Sequence, residues 1–322
     1  MASAFVGSIV DIAAYVKQRQ NSIEQHEGIA MSYNKNKLAK AVTTALAGTI
    51  LSVGAVSAEA HTMYNTFTTT DPSETDGWVY GGVGNPSYPV ASPGWVGTES
   101  PTTLPFGYAG KAHLNWAAEL HNAGDSLEIS SADALARYGV TVEIDTGAGA
   151  WQDASATPTG WKHQTDIGLI MAHETMWVTL NPSVVTGTGY DIQNFGITVF
   201  TGMDTNTGSY SHHGAWNCPE CATPRPYEAD NPFGTVGLTY LTHDGTVDAV
   251  NGLTFLAEAG QVYSIYLGGA GVGHWGSNIA EYRLLISTAP VPIPAAVWLF
   301  GSALAGIVTI GYRRKNGTPS LA

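Results

Sequence analysis

From residue 112 onward, apolar and polar residues alternate over short stretches, the period of a half-buried strand. In Ala112–Leu120, residues Leu114, Trp116, Ala118 and Leu120 fall on one face, with His113, Asn115, Glu119 and His121 on the other. The same pattern predicts strands at Ser126–Ser130, Val140–Asp145, Asp166–Ala172, Thr175–Leu180, Gly196–Thr201, Val236–Thr242, Leu253–Ala257, Gln261–Leu267 and Tyr282–Ser287. Turn-forming runs such as Asn122–Asp125, Thr242–Gly245 and Ala259-Gly260 separate many of them. Only Ala132–Tyr138 reads as a short helix. About ten strands with Gly-rich turns, and no regular alternation with helices, predict an all-β fold. The expected architecture is an antiparallel β-sandwich of jelly-roll type over residues 61–288. That length buries a sizeable core without disulfides, and no repeat of fixed period is visible.

The two ends follow a different pattern. Lys35, Lys37 and Lys40 precede an apolar run, Ala41–Val56, and Ser57-Ala58-Glu59-Ala60 supplies small residues at the positions a signal peptidase reads. Residues 31–60 are therefore expected to be a secretory signal peptide, and residues 1–30 an extension upstream of the true start at Met31. In residues 289–322, Val291-Pro292-Ile293-Pro294 is followed by the uncharged run Ala295–Tyr312 and then by Arg313-Arg314-Lys315. Eighteen helical residues would span about 27 Å, close to a bilayer core, and the basic end is expected on the cytoplasmic side.

Pro motif, apolar helix and basic tail together resemble the PEP-CTERM sorting signal of Gram-negative bacteria, with Ile293 where that family's form carries Glu. The resemblance covers residues 291–315. It implies export, retention in the inner membrane through the C-terminal helix as an anchored precursor, processing near the Pro motif by an exosortase-type enzyme, and delivery to the cell envelope, cell surface or extracellular matrix, where exopolysaccharide is a natural partner.

Charge sharpens this picture. The chain has 322 residues and a formal net charge of −13. Eight of its thirteen bases lie outside residues 61–288, which retain five bases against twenty-two acids, about −17. Such a domain attracts cations and excludes nucleic acid as a partner. Ten percent aromatic residues exclude an acidic disordered tail.

Candidate chemistry centres on histidine. Cleavage after Ala60 would make His61 the first residue, whose α-amine and imidazole chelate Cu(II). Cleavage after Ala58 would place it third, where amine, amides and imidazole form a square-planar site. His113, about fifty residues on, is the natural second ligand. The first arrangement resembles the histidine brace of copper-dependent polysaccharide monooxygenases and of periplasmic copper carriers, on the strength of His61 alone. Methanotroph copper-repressible surface proteins likewise pair widely spaced histidines around copper. A second candidate is the run from Ser211 to Cys221. Its His212, His213, Cys218 and Cys221 are either four ligands for zinc or copper or, for Cys218 and Cys221, a local disulfide. Asp204–Gly208 and Asp244–Asp248 place oxygens in turns as calcium loops do, whereas His163, His173, His243 and His274 are expected to be structural or superficial. No GxSxG, HExxH or phosphate-loop motif is present. The leading expectation is a non-enzymatic envelope protein that captures copper. A copper oxidase or monooxygenase and a metal-independent glycan adhesin are the alternatives.

Overall fold

Trp116 stands opposite Gly168 where two parallel strands meet, and a Cβ at Gly168 would lie only 2.1 Å from the indole. This fit sits at the centre of a computed structural model that describes residues 59–68, 94–110, 112–152, 162–189, 192–205, 216–217, 226–271 and 279–292, with a few positions beyond. They belong to one compact unit.

The strands are β1 (His61–Asn65), β2 (Trp95–Val96), β3 (Trp116–Leu120), β4 (Ser126–Ile129), β5 (Asp145–Gly147), β6 (Trp151–Gln152) and β7 (Asp166–Ala172). After them come β8 (Met176–Val184), β9 (Asn194–Gly202), β10 (Leu238–Val247), β11 (Leu253–Ala257), β12 (Val262–Gly271) and β13 (Ile279–Pro290). One sheet runs β10-β9-β12-β7-β3-β1-β2, with β6 on β12; the other runs β11-β8-β13-β4, with β5 on β13. Alternate residues of both sheets point inward and form one core. Trp116, Ile170, Ile197 and Ile265 from the first sheet meet Leu127, Val178, Phe255 and Leu284 from the second. A buried hydrogen-bond chain crosses that core. Trp116 Nε1 donates to Tyr282 Oη at 2.9 Å, and Tyr282 Oη donates to Asp166 Oδ2.

The first sheet is mixed, which corrects the expected antiparallel order. β3 pairs parallel with β7, and β6 parallel with β12. Its outer face is also buried, under a layer of loops that forms a second core. Trp216 is fully buried, stacked on Tyr266 with ring centroids 5.3 Å apart, and Trp95 and Tyr108 lie in the same layer. Two Pro-Phe-Gly turns line it, at Pro105–Gly107 and Pro232–Gly234, each with Phe in the left-handed region (φ 53° and 62°). Both belong to a Pro-Phe-Gly-x-x-Gly motif that occurs twice in the chain, at Pro105–Gly110 and Pro232–Gly237. Asp204, 2% exposed, accepts from the amides of Ala112 and Val236 and so ties the two loops together.

The Thr242–Gly245 run, expected to be a turn, lies inside β10, where the register with β9 shifts twice. Bulges absorb the polar residues without ending the strand. The expected helix is α1 (Ser131–Tyr138), capped by the Ser130 side chain on Asp133 N and ended by Gly139 at φ 71°. Among the described residues no helix is long and apolar enough to cross a membrane. The expected span 295–312 falls largely outside them.

Candidate metal centre

β1 lies antiparallel to β3, with His61 opposite Glu119. Two residues further along β3 the period-2 pleat returns to the same face, so His121 follows Glu119 there. On the other side of β3, β7 runs parallel with Leu120 opposite Ala172, so His173 emerges beside His121. Three neighbouring strands thus deliver three imidazoles around one carboxylate.

His61 Nε2 is 3.3 Å from Glu119 Oε2, and His173 Nε2 bonds to Glu119 Oε1. The His121 ring stacks between the other two, with centroids 6.0 Å from His61 and 4.3 Å from His173. Donor atoms of His61, Glu119 and His121 all lie within 4.8 Å of one another. Glu119 is the most sheltered of the charged partners (19% exposed), while His61 and His173 are 36% and 45% exposed.

The backbone beneath these groups is held in place. The Asp125 carboxylate accepts from the amides of His121 and Asn122 at 2.9 and 2.8 Å, and His173 N donates to Leu120 O at 2.8 Å. On the inner face of β1, Thr62 Oγ1 and Tyr64 Oη both donate to Asp133 Oδ2 of α1, at 2.9 and 2.8 Å. Arg137 Nε donates to Asp133 Oδ1 at 2.6 Å. Burial, first, and then the Asp133 charge push the Tyr64 phenol far above its ordinary pKa, so it remains a neutral donor.

The structure separates His113 from His61. It precedes β3, is 6% exposed, and packs its ring edge-on to Phe67 at 5.3 Å. By the β1–β3 register it lies six residues from Glu119, roughly 20 Å along the strand, so the two histidines cannot share an ion. His212, His213, Cys218 and Cys221 lie outside the described residues. So do Ile293, Pro294, Arg313, Arg314 and Lys315 of the sorting motif, whereas Val291 and Pro292 follow β13 and are exposed. Of the two calcium-like turns, Asn206–Gly208 lie outside the described residues, and the carboxylates of the other accept from nearby amides. Asp244 accepts from Thr246, and Asp248 from Val250 and Asn251.

Glu119 and His121 lie on the polar strand face that alternation predicts, though neither is among the expected ligands, and His173 is expected to be structural or superficial. The only local signal was Glu-x-His at the end of β3; the partners come from strands about 60 residues before and 50 after.

No protein-family model matches the chain, and no curated protein matches it. The two-sheet fold and the His/Glu cluster define a β protein with a candidate metal centre. Among solved structures, the chain is similar to the surface-associated copper-binding protein CorA of Methylomicrobium album BG8, described as important in copper acquisition. Identity is 12%, covering 54% of this chain and 98% of that one, with a TM-score of 0.29. A likeness at that level carries no argument about this protein.

Proposed function

We propose that this chain is an exported, envelope-associated β protein that binds copper, as Cu(II), through His61, Glu119 and His121. The carrying observation is the convergence of two imidazoles and one carboxylate whose donor atoms lie within 4.8 Å of one another. Nitrogen and oxygen donors of this kind suit Cu(II) and Zn(II), and the Irving–Williams order favours copper. The domain's charge of about −17 raises the local cation concentration. Export and surface delivery rest on the signal-peptide pattern and on the Pro motif with its apolar run and basic end. Should processing fall after Ala60, the α-amine of His61 would add a fourth donor beside the same carboxylate.

Titrating the purified chain with Cu(II) while recording calorimetry and electron paramagnetic resonance tests the proposal. One Cu(II) per chain with nitrogen hyperfine structure, lost in His121→Ala, is expected. Absence of uptake at micromolar copper would overturn it. Carbohydrate retention that survives chelators would instead support the adhesin reading.

A further inference from the structure

His173 lies beside the triad rather than within it, and its environment differs from theirs. We infer that it is the entry ligand of the copper site, the group that first captures a hydrated Cu(II) ion and passes it inward by ligand exchange. This inference rests on the copper reading above and goes beyond it by assigning the route of uptake.

Three observations carry it. His173 is the most exposed member of the Glu119 ion pairs, at 45% against 36% for His61 and 19% for the carboxylate. It stands directly against an inner ligand, its ring stacked on His121 at 4.3 Å and 29°. It also shares the inner carboxylate, with its Nε2 on Oε1 while Oε2 faces His61.

A carboxylate only accepts hydrogen bonds, so in the neutral imidazole the contact to Glu119 selects the tautomer with the proton on Nε2 and the lone pair on Nδ1. A ligating histidine ordinarily has its second ring nitrogen oriented in this way by a carboxylate. Capture then needs no proton loss: a water leaves copper as the Nδ1–Cu bond forms. In the next step a nitrogen of His121, an oxygen of Glu119 and a nitrogen of His61 replace further waters, and a water takes the place of Nδ1 as the Nδ1–Cu bond breaks. Copper remains Cu(II) throughout and no electron moves.

Stopped-flow transfer of Cu(II) into and out of the full chain, with nitrilotriacetate as competing chelator, separates entry from holding. His173→Asn should slow uptake and removal together by at least about tenfold, while affinity stays within about threefold of wild type. His121→Asn should instead lower affinity by more than about tenfold. His173→Gln, a longer polar replacement on the same exposed position, should repeat the Asn result. Unchanged transfer rates in both His173 variants would overturn the entry role. An affinity loss equal to that of His121→Asn would also overturn it, by making His173 a permanent ligand. If the wild-type chain takes up no Cu(II), the copper reading itself fails and the entry role falls with it.

Discussion

Glu119→Gln tests the candidate centre directly, because one carboxylate there serves every other donor. Gln keeps the volume of the side chain but removes its charge and replaces one of its two acceptor oxygens with a donor NH2. In metal-free protein, Glu119 pairs with two partly exposed imidazoles, and pairs of that kind contribute about 0–1 kcal/mol. The two pairs together should therefore move the metal-free melting temperature by about 0–8 °C. With copper the consequence is larger. A ligand at one hundred times its dissociation constant stabilises the folded state by about 2.7 kcal/mol. For a domain of this size that corresponds to about 5–11 °C in Tm. A tenfold loss of affinity reduces the stabilisation at the same free copper to about 1.4 kcal/mol, or about 3–6 °C. Differential scanning calorimetry of wild type and variant, each with and without buffered Cu(II), measures both numbers. Equal copper-induced shifts in the two proteins would refute the claim that Glu119 is a ligand.

Elsewhere the structure predicts costs of different origin. Tyr282→Phe removes the hydroxyl that links Trp116 to Asp166 across the core, and urea denaturation should show a loss of about 2–4 kcal/mol. Asp133→Ala unties Thr62 and Tyr64 from α1. It should cost about 1–3 kcal/mol and speed hydrogen exchange in β1 before the rest of the first sheet. Backbone amides of Asn251 and Val250 hold the Asp248 carboxylate below its ordinary pKa. Its contribution to the β10–β11 turn is thus present above the unfolded carboxylate pKa and disappears as pH falls through the depressed folded value. Amide chemical shifts of Val250 and Asn251 followed down a pH titration should report that single transition.

Short apolar runs along the chain were enough to locate β7 and β11 to the residue: β7 is buried almost throughout, and β11 turns Leu253, Phe255 and Ala257 inward at every second place. The same logic placed α1, where Ser130 and Gly139 cap a short amphipathic run. It failed where chain-local chemistry and pairing disagree. Thr242–Gly245 has the composition of a turn, yet β9 supplies partners for Thr242, His243 and Asp244, and bulges on either side take up the mismatch. Residues 61–65 fall outside the strands that alternation predicts, but pairing with β3 and anchoring to Asp133 make them β1.

The candidate centre divides in the same way. Side-chain period by itself determined that Glu119 and His121 share a face, and composition determined that the domain is strongly acidic. Only the tertiary structure decided that His61 and His173 join them while His113 does not. A pleat records which side of a strand a residue occupies, but the identity of the neighbouring strand, its direction and its register are set by long-range packing. Antiparallel β1 and parallel β7 on either side of β3 bring residues 61, 119, 121 and 173 together, and no local pattern in the chain encodes that choice.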